Sequence, residues 1–390
     1  MHSSNHTLKA RLIAFYLPQF HPIPENDEWW GKGFTEWTNV AKARPLFPGH
    51  HQPNVPADLG FYDLRVPEAR AAQAELARNN GIEGFCYWHY WFAGKRLLER
   101  PFNEVLNSGQ PDFPFCLGWA NQTWTGIWHG APKKVLIEQT YPGATDYEKH
   151  FYALLPAFHD PRHIRVNSKP VFLIYRPTEL PKPVEFIEQW QNLAAKNELA
   201  GIHFIAHVAS QDRFDYRVNG FDGVVPANTF RASSMTSWQR SVRWHQSRNG
   251  KNSAQPSPML SAKIFAKAVH LKGKKHLQPM FSRPKIIGYR EAMLYLLDNV
   301  STDPHAYPCV VPNWDNSPRS GIRAVVLQNS TPQLFRQHLR EALQLVADRN
   351  FEERIVFLKS WNEWAEGNYV EPDQKFGHAY LDVIREEVAR

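Results

Sequence analysis

Short apolar runs, each ending in a polar or aromatic cluster, recur eight times along the 390-residue chain. They are 11–20 (RLIAFYLPQF), 82–92 (IEGFCYWHYWF), 113–124 (FPFCLGWANQTW), 169–177 (KPVFLIYRP), 201–209 (GIHFIAHVA), 221–230 (FDGVVPANTF), 307–319 (YPCVVPNWDNSPR) and 354–364 (RIVFLKSWNEW). Continuous apolar runs of this length read as strands buried on both faces, as in a parallel sheet covered by helices. Amphipathic helical patterns precede several of them: 67–81 before the second run, 183–201 before the fifth, 291–300 before the seventh and 331–350 before the eighth. The alternation predicts an α/β fold, with eight strands closed into a (β/α)8 TIM barrel. An open doubly wound sheet is the competitor, but no G-x-G-x-x-G turn follows the first strand. No internal repeat or linker divides the chain, so 1–390 reads as one domain, with an insertion at about 229–290 between strands six and seven.

In such a barrel the reacting side chains come from the C-terminal ends of the strands. Those ends here supply Gln19 and His21, His89 and Tyr90, Trp119, Asn121 and Trp124, Tyr175 and Arg176, His207, Asn228, Trp314 and Asp315, and finally Glu363 and Glu366. Each residue alone also reads as a satisfied structural group; their agreement at one end of every strand points to a site. Glu363 and Glu366 carry the chemistry. In a continuing strand, residues three apart face opposite ways, so the pair converges only if the chain turns after the apolar run 355–358. A helical turn would bring their Cβ atoms to roughly 5–6 Å. Cleaving a glycosidic bond needs one protonated carboxyl at the leaving oxygen and a second, ionised one as base or nucleophile. Trp88, Trp119, Trp124, Trp314 and Trp364 offer stacking faces for sugar rings, while Asn121, Asp315 and His89 offer groups for hydroxyls.

Composition narrows this reading. Hydrophobic residues make up 43% and charged residues 21%, as in an ordinary folded protein, while 14 Trp is a high number that suits a cleft with stacking surfaces. Cys86, Cys116 and Cys309 are widely spaced in apolar runs, so buried thiols in a reducing compartment are expected. H-E-x-x-H, C-x-x-C, the EF-hand loop, the P-loop and G-x-S-x-G are all absent, so neither metal nor cofactor is expected. The start lacks the apolar core of a signal peptide, and no apolar stretch reaches membrane-spanning length, which predicts a cytoplasmic protein. The net charge of +7 is local in origin: residues 223–290 hold 13 Lys or Arg and no Asp or Glu. This insertion reads either as a solvated loop or as a surface for an anionic membrane or a phosphate-bearing, lipid-linked glycan, placing the protein peripherally at the inner membrane. No nucleic-acid-binding module accompanies it.

The segments FYLPQFHPIPENDEWWGKGFTEWTNV, GFCYWHYWF, LGWANQTWT, PNWDNSPR and SWNEWAEGNYVEPD span nearly the whole chain. In these motifs the protein resembles the WbsX-like family of bacterial polysaccharide and lipopolysaccharide loci, which is related to glycoside hydrolase family 99, the endo-α-mannosidases. The resemblance implies a (β/α)8 barrel. It implies Glu363 as the base that deprotonates the sugar 2-hydroxyl and Glu366 as general acid/base at the leaving oxygen, through a 1,2-anhydro sugar. Trp37, inside the first motif, joins the residues assigned to substrate binding. Ala365 stands where the hydrolase motif usually has His. Three readings follow in order: a retaining, metal-independent glycosidase acting on a bacterial polysaccharide or its precursor; a glycosyltransferase of lipopolysaccharide, O-antigen or capsule biosynthesis; and a non-catalytic glycan-binding barrel.

Overall fold

The computed structural model describes residues 8–126, 131–209, 214–235, 239–240, 243–244, 283–300 and 303–389. Eight strands form the central sheet: β1 (Arg11–Tyr16), β2 (Gly84–Phe92), β3 (Phe115–Trp119), β4 (Lys169–Ile174), β5 (His203–Ala209), β6 (Gly223–Ala227), β7 (Cys309–Val310) and β8 (Ile355–Leu358). Each of the eight apolar runs contains one of them. All neighbours pair in parallel, in the order β6-β5-β4-β3-β2-β1-β8-β7. A parallel bridge between Val224 and Ala306 joins the two ends of the ring: the Val224 N–H donates to the His305 carbonyl at 3.1 Å, and the Tyr307 N–H donates to the Val224 carbonyl at 2.7 Å. Helices pack around the ring as the alternation predicts.

The helical patterns begin where local chemistry says they should. Thr331 caps the helix Pro332–Val346 by accepting from the Leu334 N–H, and Pro332 at its first position needs no hydrogen-bond partner. Its buried face, Phe335, Leu339, Ala342, Leu343 and Val346, lies against the barrel. Pro67–Asn79 and Pro183–Lys196 also start on proline. The helix Ala144–His159 is masked in the sequence by Pro156, which sits in its last turn and looks like a breaker. β7 is only two residues long although its run is long, since Pro308 and Pro312 flank it and cannot donate to a ladder. A separate parallel pair, Lys285–Gly288 with Val325–Gln328, stands outside the ring.

Inside the barrel Phe15 stacks on Trp88 at 4.8 Å and on Phe357 at 5.2 Å. Gly118 makes room for this stack: a Cβ there would lie 2.9 Å from the Trp88 ring. Gly118→Val is therefore expected to destabilise the protein by about 1–3 kcal/mol, read as a lower denaturant midpoint, because the Trp88 ring has a packed neighbour on its other side.

Most of the basic insertion lies outside the described residues, and so does its reading as a membrane or phosphate surface. At its edges the charge is used internally. Arg231 pairs with Asp298 at 2.6 Å and Arg240 with Glu291 at 2.7 Å, while Arg243 also engages Asp298. The three cysteines are buried and unpaired.

Candidate active site

After β8 the chain does turn. Asn362–Glu363 pairs antiparallel with Asn368–Tyr369, and a single 3-10 turn, Trp364–Glu366, connects them. Gly367 closes the turn at φ 63°, where a Cβ would also come within 2.9 Å of the Asp315 nitrogen. Both reasons demand glycine there. The Asp315 N–H donates to the Glu366 carbonyl at 2.7 Å, locking the turn to the loop after β7. Trp364 is fully buried behind it, stacked on Tyr369 at 3.7 Å, and its indole N–H donates to Glu371 at 2.6 Å. Glu371 also accepts from Gln73 at 2.7 Å and Tyr62 at 2.9 Å; burial pushes its pKa up to about 7 in spite of these donors.

Glu363 and Glu366 line one cavity of about 400 Å³ beside Gln19, Trp88, Tyr90, Trp124, Tyr175 and Trp314. The two carboxylates share one anchor, the Nη1 of Arg319, which donates to Glu366 at 2.6 Å and Glu363 at 3.3 Å. Through Nε the same guanidinium holds a third carboxylate, Glu36, at 3.0 Å. Glu36 opens the helix Glu36–Lys42, where a Thr35–Thr38 capping box fixes the turn and the Glu36 N–H donates to the Gln19 carbonyl at 3.0 Å. Lys359, immediately after β8, adds a second buried cation.

Three carboxylates therefore face two cations, and a single proton would make the cluster neutral. The Glu366 carboxyl is the one raised to about 7, by burial and by neighbouring Glu363, against the pull of Arg319 and Lys359. Burial would loosen the Arg319 proton, but Glu36, Glu366 and Glu363 outweigh it and hold the guanidinium charged. Burial and the Glu363 charge also raise Tyr90, so its hydroxyl stays protonated on the cavity wall.

Among the sequence-selected residues, Gln19, Trp88, Tyr90, Trp124, Tyr175, Arg176, Trp314, Glu363 and Glu366 meet in the cavity lining. His89 and Trp119 do not, which corrects their assignment as sugar contacts. Side chains alternate along a strand, so on β2 Trp88 and Tyr90 face the cavity while His89 faces the outer helix, its Nε2 2.9 Å from His150 Nε2. On β3 Gly118 abuts the Trp88 ring, and Trp119 is buried outside the ring at 4.8 Å from His150. Asn121 ties the β3 and β4 ends together, donating to the Arg176 carbonyl at 2.9 Å and accepting from its N–H at 2.7 Å. Asp315 serves as a strut, accepting from His50 and Gln52, each at 2.7 Å. Trp37 packs on Trp364 at 5.5 Å and donates to the Tyr62 carbonyl at 2.8 Å. His21 is buried beyond the lining, and Trp364 forms the back of the turn.

Glu36, Arg319 and Lys359 were not selected from the sequence. A signal existed for each: Glu36 and Arg319 sit inside quoted motifs, and Lys359 occupies the first position past a strand end.

The fold is a (β/α)8 barrel of the kind seen in glycoside hydrolase structures. The chain covers 100% of its length in a match to a "Glycoside hydrolase-like protein" (97% of that chain, TM-score 0.58, 14% identity). It covers 97% of its length in a match to the GH99 endo-alpha-mannosidase from Bacteroides thetaiotaomicron (96% of that chain, TM-score 0.53, 14% identity). At such identity the likeness is one of fold. Residues 12–384 match the family described as Glycosyltransferase WbsX, and the chain belongs to that family. It is 39% identical over 388 residues to the uncharacterized protein WxcX of Xanthomonas campestris pv. campestris strain B100 and to WxcX of a second strain, covering 98% of this chain and 50% of theirs. The chain thus spans about half the length of the curated relatives it matches.

Proposed function

We propose that the protein is a carbohydrate-active enzyme, a retaining glycosidase acting on a bacterial polysaccharide or its precursor. The observation that carries this reading is one guanidinium nitrogen holding both Glu363 and Glu366 in an aromatic-walled cavity. Their bonded oxygens are no more than about 6 Å apart, nearer to the separation in retaining glycosidases than to the wider gap of inverting ones. Glu366, raised to about 7, keeps its proton into the neutral range and can deliver it to the leaving oxygen. Glu363 is the base toward the sugar 2-hydroxyl, as in the family 99 route. Tyr90, Trp124, Tyr175 and Trp314 supply ring faces and hydroxyl partners.

The test is to incubate the protein with the polysaccharide of its own source locus and analyse the products, including their anomeric configuration. In that assay kcat/KM is expected to fall with an alkaline limb near pH 7 as Glu366 loses its proton. An unchanged polymer, or first-formed products of inverted configuration, defeats the proposal.

The family description favours a second reading, a glycosyltransferase. That reading is supported if calorimetry detects nucleotide-sugar binding and a labelled sugar passes to an acceptor glycan. No helix among the described residues is long and apolar enough to cross a membrane.

A further inference from the structure

The cavity holds a lysine that forms no close ion pair among the described residues. Lys359 is only 7% exposed, yet it lines the cavity with its ammonium 5.2 Å from the centre of the Trp314 ring. Among the described residues this ammonium has no carboxylate within 4.0 Å and no hydrogen bond. Burial of a lysine ordinarily lowers its pKa; here burial is outweighed by Tyr175, Glu363 and Glu366, and the ammonium stays charged. Glu363 and Glu366 sustain this charge from beyond 4.0 Å, and among the described residues the ammonium's three N–H donors remain available to an acceptor in the cavity.

A second cation faces the same space. Arg176, two residues past β4, lines the cavity with its guanidinium over the Tyr175 ring at 5.1 Å. Its Nε is buried without a hydrogen-bond partner, and its carboxylate neighbour, Glu179, stands 3.9 Å away and half exposed. Tyr175, beneath the Arg176 guanidinium, also stacks on His207 at 4.7 Å, and that imidazole is pushed down to about 3 by burial and by the charges of Lys359 and Arg176. That neutral imidazole supplies no negative charge. Arg319, by contrast, is engaged by its three carboxylates.

We propose that Lys359, with Arg176, receives an oxyanion carried by the sugar itself, a ring carboxylate or a phosphate ester, so that the substrate class is an anionic glycan. This rests on the reading of the cavity as a sugar site and deepens it. A charge-assisted hydrogen bond is worth about 1.5–3 kcal/mol, or roughly ten- to a hundredfold in affinity.

The experiment is calorimetric binding, in wild type and in Glu366→Gln so that turnover does not intervene. The probes are a glucuronic-acid-containing disaccharide, a disaccharide phosphate monoester and their neutral counterpart, with inorganic phosphate as the free-anion arm. At least one anionic disaccharide should bind tenfold or more tighter than the neutral one, and whichever does identifies the anion. Lys359→Met should erase that preference, and Lys359→Arg should restore part of it, which separates charge recognition from misfolding. Equal affinity for charged and neutral probes, binding of free phosphate alone, absence of binding, or a preference that survives Lys359→Met overturns the inference. The two proposals fail separately: an anion preference without hydrolysis of any glycan defeats the glycosidase reading only, and equal hydrolysis of neutral and acidic glycans defeats this inference only.

Discussion

Glu366→Gln is expected to lower kcat by about a thousandfold or more while leaving the barrel folded, because it removes the proton donor but keeps an acceptor for Arg319. Glu363→Gln should have a comparable effect, since the couple needs one group in each protonation state. The first variant carries a second signature. The folded-state pKa of Glu366 lies above its ordinary value of 4.5, at about 7, so the carboxyl's contribution to stability is intact below pH 4.5 and is lost as pH rises through 7. Glutamine does not ionise. The variant should therefore match wild type near pH 4.5 and be more stable than it at pH 8, by about 1–3 kcal/mol. Turnover assays and thermal melts at the two pH values check both halves. Near-normal activity in either variant removes the carboxylate couple from the mechanism.

Arg319→Met should be the most damaging single change in the site. It leaves Glu36, Glu363 and Glu366 packed together with Lys359 as the remaining buried cation. Breaking a buried ion pair by removing one partner costs about 3–5 kcal/mol. The loss should deepen with pH, as carboxyls that ionise lack their counter-charge, and should shrink toward pH 4.5. Urea unfolding at pH 5 and pH 8 measures the difference, and Arg319→Lys should recover part of the stability but little activity, because an ammonium lacks the planar fork that reaches three acids at once. Equal stability of Arg319→Met and wild type at both pH values would show that the three acids are not held by this residue.

The ring of eight strands was legible because parallel strands buried on both faces leave unbroken apolar runs, and all eight runs contain a ring strand. The turn of Glu363 and Glu366 into one cavity was legible from their three-residue spacing and the end of the run at Leu358. Parity was harder to see. His89 beside Tyr90, and Trp119 beside Gly118, look equally placed in a continuous run; only the pleat decides which faces inward, and a run without alternation conceals its phase. Asp315 was misleading for another reason. Its partners, His50 and Gln52, lie in a loop more than 260 positions earlier, and no local pattern announces such a contact. Arg319 has no local signature because its worth lies in three partners drawn from two distant segments.

The anchoring of Glu36 to Arg319 has a temporal consequence. Glu36 follows β1, Arg319 follows β7 and the Glu363–Glu366 pair follows β8, so the proposed reaction centre lies where the first and last strands of the ring meet. There Leu17 and Asn362 exchange two hydrogen bonds, at 2.8 and 3.1 Å, across 345 positions. Contacts of such separation form late in folding. During refolding from denaturant, helical signal should return before catalysis, and the onset of turnover should clock the moment the circle of strands is sealed.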